Sequence, residues 1–339
     1  MLIERPAPPQ FACWGGQSRE RLASGRAGAR ESASPRRYRA GVQTGGPATD
    51  EDPGRDRGAR AEPLSVACVI PTHRRPDRLQ VAVSSALSQD TGAEVVVVVV
   101  DDADDPATRA AVASYRTGRL TCVSNPGQGA SSSRNLGVAS TTSDVVAFLD
   151  DDDAWDGRYL STALASLERT GADVVFTQIA DRPELPVRLH AGVCIAYNPG
   201  VTGSNIVMRR RAFERTGGFD EALWVSNDKD FLVRTLDLGL RYVVVPEPLV
   251  HYKHHALERL TEPSARRLRG LQLYYSRYRA RMRPTQRLHL LGVIHSTAAR
   301  LSPPGRRRSG HRALALLMFL ASPRPSAVRL ASRRQRRSA

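Results

Sequence analysis

Cysteine is scarce: Cys13, Cys68, Cys122 and Cys194 are the only four in 339 residues, and no two form a C-x-x-C pair. Neither a zinc site nor a disulfide framework is expected from such spacing. Cys68 and Cys122 lie inside apolar runs and read as small buried hydrophobes. The first residues lack a basic stretch followed by an apolar run, so no signal peptide is expected. Long apolar runs are missing too. The longest near the C-terminus, residues 313–321, falls well short of the ~20 residues that span a bilayer. With basic residues on both sides, it would lie at most in the membrane interface.

The most informative absence is that of acid. Residues 264–339 contain nineteen Arg and no Asp or Glu, and residues 1–63 hold eleven Arg against eight acids. Twenty basic and twenty-six acidic residues remain for 64–263, so the middle is mildly acidic and the net charge of +16 belongs to the tail. A tail of that sign is attracted to nucleic acid or to an anionic membrane surface, and charge alone does not separate the two.

With 41% hydrophobic residues the chain has material for a full core, but the material is unevenly placed. Residues 1–63 are rich in Gly, Pro, Ser, Ala and Arg without apolar periodicity, and are expected to be a disordered extension. Order is expected from Leu64. Residues 64–70 form a strand stopped by Pro71, and 77–89 place Leu79, Val83, Ala86 and Leu87 on one helical face. The six valines at 95–100 predict a strand buried on both faces. Further strands are predicted at 120–124, 145–149 and 173–177, with helices between. This alternation implies a doubly wound α/β, Rossmann-like sheet, mostly parallel and flanked by helices, whose ligands sit beyond the carboxyl ends of the strands.

The residues at those strand ends are the chemically loaded ones. Pro71, Thr72 and His73 follow the first, Asp101 and Asp102 the second, and Asp150, Asp151, Asp152 and Asp153 the fourth. Four adjacent carboxylates repel unless something positive compensates, and a divalent cation does so. Asp150 and Asp152 can present oxygens from one side of an extended turn, which suits Mg²⁺ or Mn²⁺ carrying a diphosphate. Capping of the helix expected near Gly157 is the plainer explanation, but one Asp would serve it. A carboxylate at 101 or 102 can accept from a nucleobase N–H or a ribose hydroxyl, and the plainer reading there is a polar turn closed by Pro106. The small residues of 127–135, GQGASSSRN, offer backbone N–H groups near a helix start, with Arg134 supplying charge.

Five ordered segments, VACVIPTHRRPDRL, VVVVVVDDADD, GASSSRNLGV, AFLDDDDAW and GGFDEALWVSNDKDFLVR, together resemble the family 2 glycosyltransferases of the GT-A fold over about 190 residues. The resemblance implies an inverting transfer of a sugar from a UDP- or dTDP-sugar to a saccharide, lipid-linked or small-molecule hydroxyl. It implies roles for Thr72 and Asp102 at the base, Arg134 near the nucleotide and Asp151 beside the ribose. Asp150 and Asp152 become the DxD pair, Asp228 the general base, and His254 a residue near the metal. Two departures stand out: Asn227 precedes Asp228 where members commonly carry Glu, and His73-Arg74 replaces Tyr-Asn. Nucleotidyl transfer would use similar parts, but that chemistry usually shows a Gly-rich loop with Arg and Lys where this chain has Pro71-Thr72-His73. An inactive GT-A-fold binder of membrane or nucleic acid is the third reading, opposed by intact Asp150, Asp152 and Asp228.

The expected layout is an extension at 1–63, a transferase domain at 64–260 and an Arg-rich helical region at 261–339. Trp224 is either a platform for a sugar ring or a structural aromatic. Of His251, His254 and His255, one is expected to be a ligand. Residues 264–281 interleave Leu268, Leu271, Leu273, Tyr274, Tyr275 and Tyr278 with arginines, suiting a helix docked on the domain or on an anionic bilayer. A cytoplasmic protein, peripheral to the inner membrane face and with no specific nucleic-acid partner, is the expected setting.

Overall fold

The computed structural model describes residues 64–252 and 263–322. The expected extension at 1–63, His254 and His255 lie outside them. The chain opens with β1 (Ser65–Thr72), α1 (Pro76–Leu87), β2 (Glu94–Asp101), α2 (Pro106–Ala113), β3 (Leu120–Ser124), α3 (Gly129–Ala139) and β4 (Val145–Phe148). A short β5 (Asp153–Trp155), α4 (Tyr159–Thr170), β6 (Val174–Ile179), α5 (Ala191–Cys194), β7 (Ile206–Arg209) and α6 (Arg210–Thr216) follow. Then come α7 (Asn227–Asp237), the long β8 (Tyr242–Tyr252), and three helices, α8 (Ala265–Tyr278), α9 (Pro284–Leu301) and α10 (Arg306–Ala321).

The valine run behaves as its composition demands. Val95, Val97 and Val99 enter one hydrophobic layer with Leu79, Val83 and Leu160, whereas Val98 and Val100 enter the other with Phe148, Phe213 and Phe231. A period of two feeds both faces at once, which is why an uninterrupted apolar strand has to be interior. Its neighbours are parallel: β2 pairs with β1 and β3, and β1 with β4.

The sheet is the expected helix-flanked, Rossmann-like one with most pairings parallel, and its second half adds antiparallel strands. Among the described residues the strand order is β3-β2-β1-β4-β7-β6-β8-β5. The strand expected at 173–177 is β6, and it does not lie beside β4. Antiparallel β7 sits between them, pairing with both. β6 runs parallel to β8, and β5 closes the edge antiparallel to β8. Four of the seven pairings are therefore parallel, and the sheet is mixed.

The tail decides between the two readings of residues 264–281, in favour of docking on the domain. Helix α8 does not offer its tyrosines to a membrane: Leu271, Tyr274 and Tyr278 are buried in the layer that contains Phe231 and Leu232 of α7. Tyr278 donates to Asp230 Oδ1 at 2.7 Å, and Tyr274 to the Ile195 carbonyl at 2.9 Å. The region after 261 is thus, in its first helix, part of the packing that holds α7.

Candidate active site

The loaded strand ends converge. Asp150 to Asp153 form the turn between β4 and β5, closed by Asp153 N–H donating to the Asp150 carbonyl at 3.1 Å. Ser204, just before β7, organises this turn. Its hydroxyl donates to Asp153 and accepts from the Asp150 N–H at 3.1 Å, while its carbonyl accepts from Trp155 Nε1 at 2.8 Å and Tyr159 Oη at 3.2 Å. Trp155 and Tyr159 stack with ring centroids 4.2 Å apart, so the turn rests on a rigid aromatic floor.

One arginine links the two halves of the site. Arg134, buried on α3, donates through Nη2 to Asp150 Oδ1 at 2.5 Å, and its Nη1 lies 3.7 Å from Asp228 Oδ1 at the start of α7. Its guanidinium sits over the Phe219 ring at 5.1 Å, and Phe219 in turn stacks on Phe231 of α7 at 4.3 Å. The Asp228 Oδ1 and Arg134 Nη1 and Nε atoms are buried without a hydrogen bond among the described residues. Burial pushes the Asp228 carboxyl up to about 6, against the pull of Arg134 and with help from the charge of Asp150. Ser226, with φ of 62°, holds left-handed backbone before α7 and sets the angle at which Asp228 enters.

Thr72 donates to Asp151 Oδ2 at 2.7 Å, and Arg75 approaches Asp151 Oδ1 at 3.3 Å and Asp152 Oδ2 at 3.7 Å. Burial still raises Asp151 to about 6, opposed by Arg75 and Thr72; Asp152 is raised for the same first reason and then by Asp150. Asp102 accepts from the Gly129 N–H at 2.7 Å and faces His73 Nδ1 at 3.5 Å. Asp101 is spent on its own turn, accepting from the N–H groups of Ala103 and Asp105 at 3.0 and 2.6 Å. His73, the departure at the opening motif, therefore meets the expected nucleotide carboxylate directly.

Seven of the eight expected site residues, Thr72, Asp102, Arg134, Asp150, Asp151, Asp152 and Asp228, fall within this linked set. His254 lies outside the described residues, and His251 is exposed on β8. Trp224 is no open platform: Arg266 lies 3.7 Å over its ring, and its edge fills the space where a Cβ at Gly129 would come to 2.8 Å. Arg75 was missed by sequence reasoning, and Gly203 and Ser204, expected on the acceptor side, instead meet the acidic turn. Arg75 stands only three residues beyond Thr72, a spacing that could have signalled it; the other two reach the site through the return of β7, which no local pattern announces.

No group of three or more His, Cys, Asp or Glu poised for a metal exists among the described residues. Two carboxylates with open positions nonetheless suit a hard cation that takes its remaining ligands from phosphate and water. The raised Asp152, repelled by Asp150, is the kind of frustrated donor that a divalent ion relieves.

Gly203 gives a sharp test of this geometry. A Cβ there would lie 2.4 Å from Arg134 Nη2 and 2.8 Å from Asp150 Oδ1. Gly203→Ala should cost about 1–3 kcal/mol of stability by overpacking and lower kcat/KM by at least tenfold. Equal kinetics for the variant would show that the Arg134–Asp150 pair is not needed in this arrangement.

A mixed, helix-flanked sheet with acidic strand ends, Asp150 and Asp152 on the turn after β4, and Asp228 on the facing helix has the layout of the GT-A fold. Residues 67–192 match the family description "Glycosyl transferase family 2". The amylovoran biosynthesis glycosyltransferase AmsB of Erwinia amylovora is 26% identical over 212 residues, covering 56% of this chain and 69% of that protein. The succinoglycan biosynthesis protein ExoU of Rhizobium meliloti is 29% identical over 210 residues, covering 55% of this chain and 60% of that protein. Among solved structures, Staphylococcus aureus TarS 1-349 in complex with UDP-GlcNAc aligns at TM-score 0.54 with 17% identity, covering 77% of this chain and 82% of that one. The mannosyltransferase PcManGT from Pyrobaculum calidifontis, in complex with GDP-Man and Mn²⁺, aligns at 0.52 with 20% identity, covering 80% and 79%. At such identities these two likenesses establish the fold.

Proposed function

We propose that this chain is a metal-dependent, inverting glycosyltransferase that moves a sugar from a nucleoside diphosphate to an acceptor hydroxyl. The observation that carries the reading is the single guanidinium of Arg134 joining Asp150 of the DxD turn to Asp228 of the facing helix. Donor and acceptor chemistry thereby meet at one side chain.

Asp150 and Asp152 would hold Mn²⁺ or Mg²⁺, which when bound supplies positive charge to the departing diphosphate. Asp102, with His73 beside it, receives the base or ribose; Thr72 and Arg75 hold Asp151 toward the ribose. Asp228 accepts the proton of the acceptor hydroxyl as that oxygen attacks the anomeric carbon. Attack opposite the leaving group in one displacement inverts the configuration. A UDP- or dTDP-sugar is the proposed donor. The acceptor is a saccharide, a lipid-linked glycan or a small molecule.

Hydrolysis of UDP- and dTDP-sugars with and without Mn²⁺, measured for wild type and Asp152→Asn, tests the metal arm. Wild type should need Mn²⁺, and the variant should lose at least a hundredfold of the Mn²⁺-dependent rate. Equal rates would reject the enzyme reading in favour of a non-catalytic binder.

A cytoplasmic setting at an anionic membrane face is supported by α10. Leu316, Leu317 and Leu320 on this helix are 61%, 62% and 71% exposed, while Arg306, Arg307 and Arg312 line its first turns. No described helix is long and apolar enough to cross a membrane. A short helix with leucines at one end and arginines at the other suits insertion into the headgroup region of anionic lipid. Replacing all three leucines by Ser, at positions too exposed to matter for folding, should weaken sedimentation with phosphatidylglycerol vesicles at least tenfold. Unchanged sedimentation, or equal binding to neutral phosphatidylcholine, would refute it.

A further inference from the structure

Beside the acceptor loop lies a concavity that the donor chemistry does not use. A cavity of about 390 Å³ opens between the loop before α7 and the first turns of α8, lined by Ala222, Trp224, Arg266, Arg269, Gly270 and Leu273. Its walls are set closely: a Cβ at Gly270 would come within 2.8 Å of Val225 Cγ2, so the helix backbone is pressed against the loop. Trp224 is the partition. One side meets Gly129, whose N–H holds Asp102 in the donor half, and its ring carries the Arg266 guanidinium at 3.7 Å.

Four arginines of α8 and the turn after it contrast in their partners. Arg277 pairs with Asp220 and, at 3.2 Å, with Asp230, and Arg281 with Asp237 at 2.7 Å. Arg266 and Arg269 have no carboxylate within ion-pair distance among the described residues, and the sequence from 264 to 339 contains none to supply one. Two exposed guanidiniums one turn apart, one of them held by an aromatic face, form a fork for oxyanions. Stacking on Trp224 lowers the conformational freedom Arg266 would otherwise lose on binding.

We propose that this pocket binds a phosphate or diphosphate group carried by the acceptor, so that the acceptor substrate is anionic. The inference rests on the transferase reading above, because Trp224 stands four residues before Asp228, in the loop that leads into α7. An acceptor anchored here by its phosphate would present a hydroxyl farther along its length to the base. Specificity then comes from the anion and its spacing to the hydroxyl.

Calorimetric titration with inorganic pyrophosphate in metal-free buffer tests it, comparing wild type with the double variant Arg266→Ala, Arg269→Ala. The double variant should bind pyrophosphate at least tenfold more weakly, while UDP with Mn²⁺ raises the melting temperature of both proteins equally. Equal pyrophosphate binding, or none by wild type, overturns the proposal. Loss of binding to phosphatidylglycerol vesicles with pyrophosphate binding unchanged would assign the arginines to lipid headgroups and overturn it as well. Absence of any UDP–Mn²⁺ shift in wild type would instead reject the donor reading, which keeps the two failures apart.

Discussion

Asp228→Asn should lower kcat by about two to four orders of magnitude, while donor affinity in Mn²⁺ stays within a few-fold of wild type. Asparagine keeps the shape of the side chain and a carbonyl oxygen toward Arg134, but it cannot take a proton at the working pH. The loss therefore falls on the chemical step, as a group acting in the transition state requires. The pH profile carries the same information. Burial and the nearby Asp150 charge raise Asp228 to about 6, so the base is protonated and inactive below that pH and becomes competent as pH rises through it. Wild-type kcat/KM should show an acid limb near pH 6, lowered when cation binding at Asp150 removes part of the repulsion. The residual activity of the variant should lose the contribution of Asp228 to that limb and keep only that of Asp151, which is raised to a similar value. A variant within threefold of wild type would remove Asp228 from the mechanism.

The largest effect on stability is expected at Asp230. Its carboxylate is fully buried and accepts from Arg234 Nε at 2.8 Å, Tyr278 Oη at 2.7 Å and Arg277 Nη1 at 3.2 Å. Two of these donors come from α8, so one acid latches the tail helix onto the helix that carries the base. Asp230→Ala leaves Arg234 Nε, Arg277 Nη1 and Tyr278 Oη without that acceptor and should cost about 3–5 kcal/mol. For a domain of this size that corresponds to a fall in melting temperature of roughly 6–20 °C. Tyr278→Phe removes one neutral donor and should cost nearer 1 kcal/mol. A melting temperature for Asp230→Ala within one degree of wild type would mean that the latch does not hold the helices together.

The strands with uniform apolar runs were legible in the sequence to within two residues. The valine run became β2 (Glu94–Asp101), because burial on both faces demands a pattern visible over a few residues, and residues 120–124 became the edge strand β3 unchanged. The acidic turn after β4 was legible for a similar reason: four like charges at a strand end are anomalous wherever they occur. What local pattern does not carry is pairing at long range. Nothing in Ile206–Arg209 announces that this strand inserts antiparallel between β4 and β6, and with it the approach of Gly203 and Ser204 to Asp150 stayed hidden. The function of residues 264–281 was underdetermined for a different reason. Interleaved tyrosine and arginine suit a lipid surface and a protein surface equally, and only the position of Asp230 on the facing helix decides between them.

The return of β7 between β4 and β6 also bears on how such a chain can be re-engineered. A graft that exchanged the acceptor half at a junction anywhere between residues 155 and 203 would bring in a foreign loop at the position of Ser204. The incoming loop would have to supply a hydroxyl for Asp153 and the Asp150 amide, and a carbonyl for both aromatic rings. Hybrids joined beyond residue 209 would keep that stitch with the parent, and are where working recombinants should be sought.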